Sequence, residues 1–397
     1  MTKFEIAKNI FWVGVIDWNL RDFHGYFTRR GGTYNSYLIQ DEKIALIDTV
    51  KHTFSEELVR KITELVLPEK IDYIIVNHVE MDHSSSLPII AKHAKNATII
   101  ASEKGKDAII EHYGAGFNIQ TVKTGDELKL GGRTLKFVEA PMLHWPDSMF
   151  TYIVEDKILM SNDAFGQHYA TGERFDYEVD EHLLMEEAAT YFANILMPFS
   201  PLITRKIEEI TQLGLTCDMI APSHGIIWQK NPSKIINAYL DWSSGKAKNK
   251  ITIVYDTMWG STDKMARSIA EGATSEGVEV KLLKLRASDN TEAITEILDS
   301  KVVMVGSPTL NNGMFPTIGS FMTHAVGLKP KDKTWGFFGS FGWGGGAVRS
   351  MTEMAQKAGF KIREPGLQIK YVPDPEDLKK CFELGKQIAT EIKQSSF

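Results

Sequence analysis

Apolar residues follow two different rhythms along this chain, and the change falls near Asp241. Ahead of it, short apolar runs succeed one another closely. TYNSYLIQ (33–40) and IALIDTV (44–50) flank Asp41-Glu42-Lys43, which predicts a hairpin. Thr53 with Glu56 three residues on predicts a helix over 55–66 entered through a capping box. YIIVNH (73–78) reads as a buried strand running into a polar loop. TLKFVEA (134–140), FTYIV (150–154) and KILMSND (157–163) read as further strands, and a helix over 181–197 is expected to stop at Pro198. Strands in consecutive runs with helices outside them predict two sheets packed together and covered by helices.

Beyond Asp241 the order is strictly strand then helix. ITIVYD (251–256), VEVKLLKL (278–285), VVMVGSPT (302–309), WGFFGS (335–340) and LQIKYV (367–372) alternate with helices, among them 262–276 and 291–298. The last helix takes Asp374 as its cap and Pro375 at its first position. Five strands in this alternation predict a doubly wound parallel sheet. Between the two regions DWSSGKAKNK (241–250) is polar and reads as a linker. The expected organisation is a domain over 1–240, a linker over 241–250 and a second domain over 251–397. Neither half shows a repeat of fixed period.

Composition narrows the class. With 397 residues, two or three domains are expected at roughly 150 residues each. Apolar residues at 43% and charged residues at 24% leave material for two cores. A net charge of -6 argues against a nucleic-acid partner, which calls for clustered Lys and Arg. No apolar run approaches the roughly 20 residues of a membrane span, and Glu5 and Lys8 interrupt what a signal peptide would keep apolar. The expectation is a soluble, unsecreted protein. Cys217 and Cys381 stand far apart, which excludes a disulfide scaffold, an all-cysteine iron–sulfur cluster and an appended rubredoxin module.

The loop after the 73–78 strand reads His78-Val79-Glu80-Met81-Asp82-His83, four potential ligands in six residues. In an extended segment positions two apart share a side, so His78 and Glu80 can grip one ion while Asp82 and His83 reach a neighbour. His144, Asp163 and His224 follow, each where a strand meets a loop. The remaining candidates His52, His93, His112, His182 and His324 read as ordinary polar residues.

A second constellation lies in the later half. Thr257-Met258-Trp259-Gly260-Ser261-Thr262 joins the first strand to a helix, and its hydroxyls and loop N–H groups make a cradle for a terminal phosphate. It carries neither the Lys of a Walker A loop nor a GxGxxG. Ser307-Pro308-Thr309-Leu310-Asn311-Asn312 follows the third strand. Ser340-Phe341-Gly342-Trp343-Gly344-Gly345 continues to Gly346 and Ala347 after the fourth. All three loops belong at strand C-termini, where doubly wound sheets bind ligands. The glycines let backbone approach a flat ring that Trp343 can cover.

YNSYLI…ALIDT, the H-x-E-x-D-H loop and the later His, Asp and His resemble the metallo-β-lactamase superfamily, which implies an αββα sandwich with a two-metal cleft at the strand ends. The zinc hydrolases of that superfamily usually have His where this chain has Glu80. A carboxylate there gives three carboxylates and four imidazoles, harder ligation that suits iron or manganese better than zinc. The phosphate cradle resembles that of the flavodoxins, which bind FMN. With RDFHGY, MLHWPDSM, SNDAFGQH, ANILMPF and YDTMWGSTDKMA, the combination resembles the flavodiiron proteins over essentially the whole length.

That resemblance implies a cytoplasmic oxidoreductase that reduces dioxygen or nitric oxide, built as a head-to-tail homodimer or a dimer of such dimers. It implies FMN and two non-haem irons per chain, one held by His78, Glu80 and His144, the other by Asp82, His83 and His224, with Asp163 bridging. His24, His168 and Tyr191 match positions near the pocket that donate protons or orient substrate. The chain reads as the minimal version without fused redox modules, so a separate donor such as rubredoxin is expected. The electron count fits independently. Four electrons take dioxygen to two waters, and a diferrous pair with a flavin hydroquinone holds four; coupling two nitric oxides takes two. The rival expectations are a zinc hydrolase with a regulatory flavodoxin module and an electron carrier whose first half only mediates assembly.

Overall fold

In the computed structural model, which describes residues 4–394, contacts divide the chain into two units. One comprises the residues through Tyr191 with Pro201–Leu240, the other Phe192–Ser200 with Asp241 onward.

The first unit holds two large sheets. The strands Phe4–Ala7, Ile10–Trp12, Tyr37–Gln40, Ile44–Ile47, Tyr73–Ile75, Thr98–Ala101 and Ile119–Thr121 form one in that spatial order. Glu127–Lys129, Thr134–Glu139, Met149–Ile153, Ile158–Asn162 and Met219–Pro222 form the other. The hairpin expected around Asp41–Lys43 is present, with Tyr37 opposite Ile47 and Gln40 opposite Ile44. Alternate residues supply the two faces of the first sheet. Tyr37, Ile39, Ala45, Ile47 and Ile75 meet Leu135, Phe137, Met149 and Ile153 of the second sheet in a buried core. Leu38, Leu46 and Ile74 point the other way, into a cluster with Leu58, Ile62, Leu87, Ile90 and Ile109 of the covering helices. Each large side chain removed from water stabilises by about 2 kcal/mol, so the one-residue alternation fixes the register.

The second unit is a five-stranded parallel sheet. In sequence order its strands are Lys248–Tyr255, Glu279–Lys284, Ser300–Gly306, Thr334–Phe341 and Lys361–Lys370; in space they run 2-1-3-4-5. This is the flavodoxin order, and its crevice opens at the C-terminal ends of the strands where the order reverses. Ile251, Ile253 and Tyr255 pack with Met265, Ile269 and Ile388 of the flanking helices. Asp374 caps the last helix, Pro375–Gln394, its Oδ1 accepting from Asp377 N at 2.8 Å.

Three local readings differ from the structure. Thr53 does not cap a helix, because it lies inside the 3-10 turn His52–Phe54. The α-helix that follows is Ser55–Thr63, and the Ser55 hydroxyl donates back to His52 O at 2.7 Å. Pro198 does not end the 181–197 helix. The α-helix stops at Tyr191, and a π-helical turn, Phe192–Leu196, leads into the 3-10 turn Met197–Phe199. There Pro198 sits where no backbone donor is needed. Within 241–250, the helix Pro232–Ser244 occupies the start and the strand Lys248–Tyr255 the end, so only 245–247 lie between elements.

Candidate functional site

His78 and Glu80 lie beyond the C-terminal end of the Tyr73–Ile75 strand, and Asp82 and His83 follow on the one-turn helix Met81–Ser84. His144 lies between the strands Thr134–Glu139 and Met149–Ile153; Asp163 directly follows Ile158–Asn162, and His224 follows Met219–Pro222. Strand ends thus deliver all seven groups to one place, and all are buried. Their ligating atoms fall into two sets, each within 4.8 Å: His78, Glu80, His144 and Asp163, and Asp82, His83 and His224.

Asp163 faces both sets. Its Oδ2 is 3.2 Å from His144 Nε2 and 3.6 Å from His78 Nε2, while Oδ1 is 2.9 Å from His83 Nε2 and 3.2 Å from His224 Nε2. Asp82 Oδ2 is 3.2 Å from His224 Nε2, and Glu80 Oε2 is 3.1 Å from His144 Nε2. These are ion-pair distances, yet both oxygens of Asp82 and of Asp163, the His83 ring nitrogens and His224 Nε2 make no aligned hydrogen bond. Donor atoms that crowd within 4.8 Å without bonding one another are what a metal site presents.

Charge points the same way. Burial opposes protonation of His144 and His224, yet neighbouring carboxylates, Asp163 first, raise them to about 9 and about 10. Burial likewise opposes ionisation of Glu80 and Asp163. Hydrogen bonds from His144, His24 and His78 hold Glu80 well below the usual carboxylate range, and the His83 charge leads the imidazoles that do the same for Asp163. A buried pocket that keeps carboxylates ionised and draws protons onto its imidazoles is short of positive charge, and two metal cations fit that deficit.

Outer partners fix the ligands. Asp147 Oδ2 is 3.0 Å from His78 Nδ1 and accepts from Val79 N at 2.7 Å, and His224 Nδ1 lies 2.7 Å from Thr33 O. Asp48 accepts from Asn77 N at 2.7 Å and from Asn162 Nδ2 at 3.3 Å, tying three strand ends together. Gly225 follows His224 at φ 74°, where a Cβ would run into Gln167. Asp147 and Asp48 lie within MLHWPDSM and ALIDT, but only their carboxyl types, not their partners, are visible in the sequence. Asp147→Ala is expected to weaken metal binding at this cluster by roughly 10- to 100-fold. Metal per chain after chelator competition would measure this, with the fold unchanged by circular dichroism.

His24, His168 and Tyr191 converge on the same pocket. His24 occupies the tip of the Asp22–Phe23 and Tyr26–Phe27 hairpin, a His24-Gly25 turn with φ of 53° and 78°. Its Nε2 is 2.6 Å from Glu80 Oε1. The His168 ring lies 4.7 Å from that of His224 and 5.3 Å from that of Tyr191. A cavity of about 280 Å³ opens beside Glu80 and Asp82, lined also by Phe23, Tyr34, Met81 and His52. By sequence His52 reads as an ordinary polar residue; the fold places it on this cavity.

In the second unit the three loops line a cavity of about 530 Å³. It is walled by Met258, Trp259, Ser261, Pro308, Thr309, Leu310, Asn311, Asn312, Ser340, Phe341, Gly342, Trp343 and Gly344, and also by Tyr371 and Val372 from the end of the fifth strand. Thr309 Oγ1 accepts from Gly346 N and Ala347 N at 3.3 and 3.2 Å, locking two loops together. Five expected residues stand off this wall. Thr262 is buried with its hydroxyl 3.0 Å from Ser340 Oγ, Ser307 Oγ accepts from Phe315 N at 2.8 Å, and Gly345 lies against Gln368. Thr257 and Gly260 line a neighbouring cavity of about 580 Å³ with Arg267, Lys284 and Arg286. The cradle lacks Lys in its own loop, but the fold brings cations beside it. Arg286 Nε donates to Asp256 at 2.9 Å and its Nη2 to Thr257 O. Trp259 and Trp343 are 89% and 93% exposed, and a flat flavin ring between such faces fits their need for cover.

Residues 33–225 match the family described as ODP family beta lactamase and residues 253–385 the family described as Flavodoxin. A nitric oxide reductase of Moorella thermoacetica is 50% identical over 98% of both chains. This chain belongs to the flavodiiron proteins. Its fold is similar to that of the rubredoxin:oxygen oxidoreductase of Desulfovibrio gigas (TM-score 0.97, 38% identity, 99% of both chains). It is also similar to the flavodiiron protein of Giardia intestinalis (TM-score 0.96, 37% identity, 99% of this chain and 97% of that one). As a flavodiiron protein it is an oxidoreductase that uses FMN and a non-haem di-iron centre, and the chain carries a buried His, Asp and Glu cluster of the kind that can hold metal. Among the described residues no helix is long and apolar enough to cross a membrane.

Proposed function

We propose that this flavodiiron protein reduces nitric oxide to nitrous oxide, dioxygen to water, or both, in the cytoplasm. His78, Glu80 and His144 would hold one iron and Asp82, His83 and His224 the other, with Asp163 between them. The loops at 257–262, 307–312 and 340–345 would hold FMN. The observation that carries this reading is Glu80, a buried carboxylate in the loop position that zinc hydrolases give to histidine, within a set of seven converging ligands. Names among the relatives support both gases.

When bound, the iron pair supplies open coordination positions for the diatomic and, with FMN, the electrons it consumes. The chain's own contribution is orientation and exclusion of water. Asp147 and the Thr33 carbonyl fix the His78 and His224 rings, His24 holds Glu80, and Phe23, Tyr34 and Met81 narrow the approach. Trp259 and Trp343 on the flavin loops and Trp18, Phe27 and Met81 on the first unit are large exposed apolar groups. They support a head-to-tail homodimer in which each subunit's FMN serves its partner's irons, with electrons arriving from a separate donor such as rubredoxin. Protein reconstituted with iron and FMN is expected to consume nitric oxide or dioxygen when given a reduced donor, and zinc-loaded protein is not. Gas consumption by the zinc form would overturn the reading.

A further inference from the structure

Reduction of either gas consumes protons as well as electrons: O2 + 4H⁺ + 4e⁻ gives 2H2O, and 2NO + 2H⁺ + 2e⁻ gives N2O + H2O. The metal pocket is buried, so those protons need a route. Besides the ligands, three neighbouring residues of the first unit bury polar atoms without a hydrogen-bond partner: Tyr26 Oη, both nitrogens of His168, and Tyr191 Oη. Tyr26 lies flat against His168, ring centroids 5.7 Å apart at 16°, and Tyr191 meets the same ring edge-on at 5.3 Å. Buried polar groups crowded in this way take their partners from internal water.

The outer end of the row is Glu187. It lies one helical turn before Tyr191 on Glu181–Tyr191 and so shares its face. It accepts from Arg30 Nε at 3.0 Å, and its side chain is 12% exposed beside an Arg30 that is 45% exposed. Among charged neighbours, Glu187 acts most strongly on the Tyr26 hydroxyl. On the Glu80 side the pocket also reaches solvent, through His24 and through His52 and Ser85 of the cavity there.

We propose that Glu187 takes protons from solvent and passes them through the Tyr26 and Tyr191 hydroxyls and the waters between them to the metal pocket. Each hydroxyl accepts one proton and releases its own, so it is unchanged after each transfer, and the electrons are those of the established reaction. The buried His168 ring, between Tyr26 and Tyr191, holds the waters in line. Glu187 is suited to collect protons at neutral pH. Burial raises its carboxyl to about 7, with Glu186 adding to the rise and Arg30 and Arg29 opposing it. Tyr26 and Tyr169 also face it. Below about pH 7 the carboxyl carries the proton, and above it the carboxylate must wait for one.

The test uses the full chain loaded with iron and FMN, unaltered and as Glu187→Gln, Glu187→Asp and Tyr26→Phe. Infrared difference spectra of the oxidised protein are expected to show one buried carboxyl titrating near neutral pH that Glu187→Gln removes. Single-turnover gas reduction is expected to slow on the order of a hundredfold in Glu187→Gln and Tyr26→Phe. Their iron and FMN contents should be unchanged, the solvent deuterium effect should grow, and Glu187→Asp should restore most of the rate. An unchanged rate and pH profile in Glu187→Gln or in Tyr26→Phe would overturn the route, with entry on the Glu80 side the remaining course. Equal slowing in Glu187→Asp and Glu187→Gln would mark a packing effect and overturn it as well, as would the absence of the titrating band.

Discussion

Replacing Asp163 with Ala is expected to remove iron and abolish gas reduction while FMN stays in place. Its two oxygens face different ligand sets, Oδ2 toward His144 and Oδ1 toward His83 and His224. Among the described residues no other side chain of the pocket faces both sets in this way, so truncation is expected to weaken both iron positions together. It also removes the carboxylate that does most to raise the His144 and His224 imidazoles, so the pocket keeps less negative charge with which to hold metal cations. Loss of an outer partner such as Asp147 costs roughly 10- to 100-fold in metal affinity; loss of this shared ligand should exceed that. The flavin loops belong to the other unit and keep their own hydrogen bonds. Iron and FMN assayed per chain check the expectation, and full iron with full turnover in Asp163→Ala would contradict it.

Two variants, each inactive alone, are expected to regain activity when mixed. One is changed at Thr257 and Ser261 so that it no longer binds FMN. The Thr257 hydroxyl closes the phosphate loop by accepting from Gly260 N at 3.0 Å, and Ser261 lines the flavin cavity. The other is changed at His144 and Asp163, so that it no longer holds iron. If each flavin serves the partner subunit's irons, a mixed dimer contains one intact pair. After complete exchange half the dimers are mixed, and activity should reach roughly a quarter of the unaltered level, the figure that two-fold symmetry dictates. Activity that stays at the parental level after demonstrated exchange would mean that transfer runs within one chain.

Most of the fold was legible in the apolar rhythm, because burial on two faces and burial on one leave different periods. The seven side chains that come together were legible because acids and imidazoles crowd at strand ends with little structural reason to do so. What stayed hidden was whatever depends on a distant partner. Asp147 shows only a carboxyl within MLHWPDSM until the fold sets it against His78. Arg286 lies two residues past the end of the second strand, and the 2-1-3 strand order brings it to the cradle of the first. Tyr371 and Val372 likewise reach the flavin cavity because the fifth strand ends beside it. Thr53 failed as a cap because a 3-10 turn that no propensity announces precedes the helix, and Pro198 failed as a stop because a π-turn had already redirected the chain.

The central claim is that one chain type joins FMN to a di-iron site that reduces a diatomic gas completely. Anaerobic stopped-flow mixing of the fully reduced protein with dioxygen, and separately with nitric oxide, tests it most directly. The account predicts reoxidation of iron and flavin within a turnover with at least one of the gases, yielding water without free superoxide or peroxide, or nitrous oxide. Flavin that reoxidises with peroxide release at the same rate whether or not the metal site is loaded, and no reaction of the reduced irons with either gas, would contradict it.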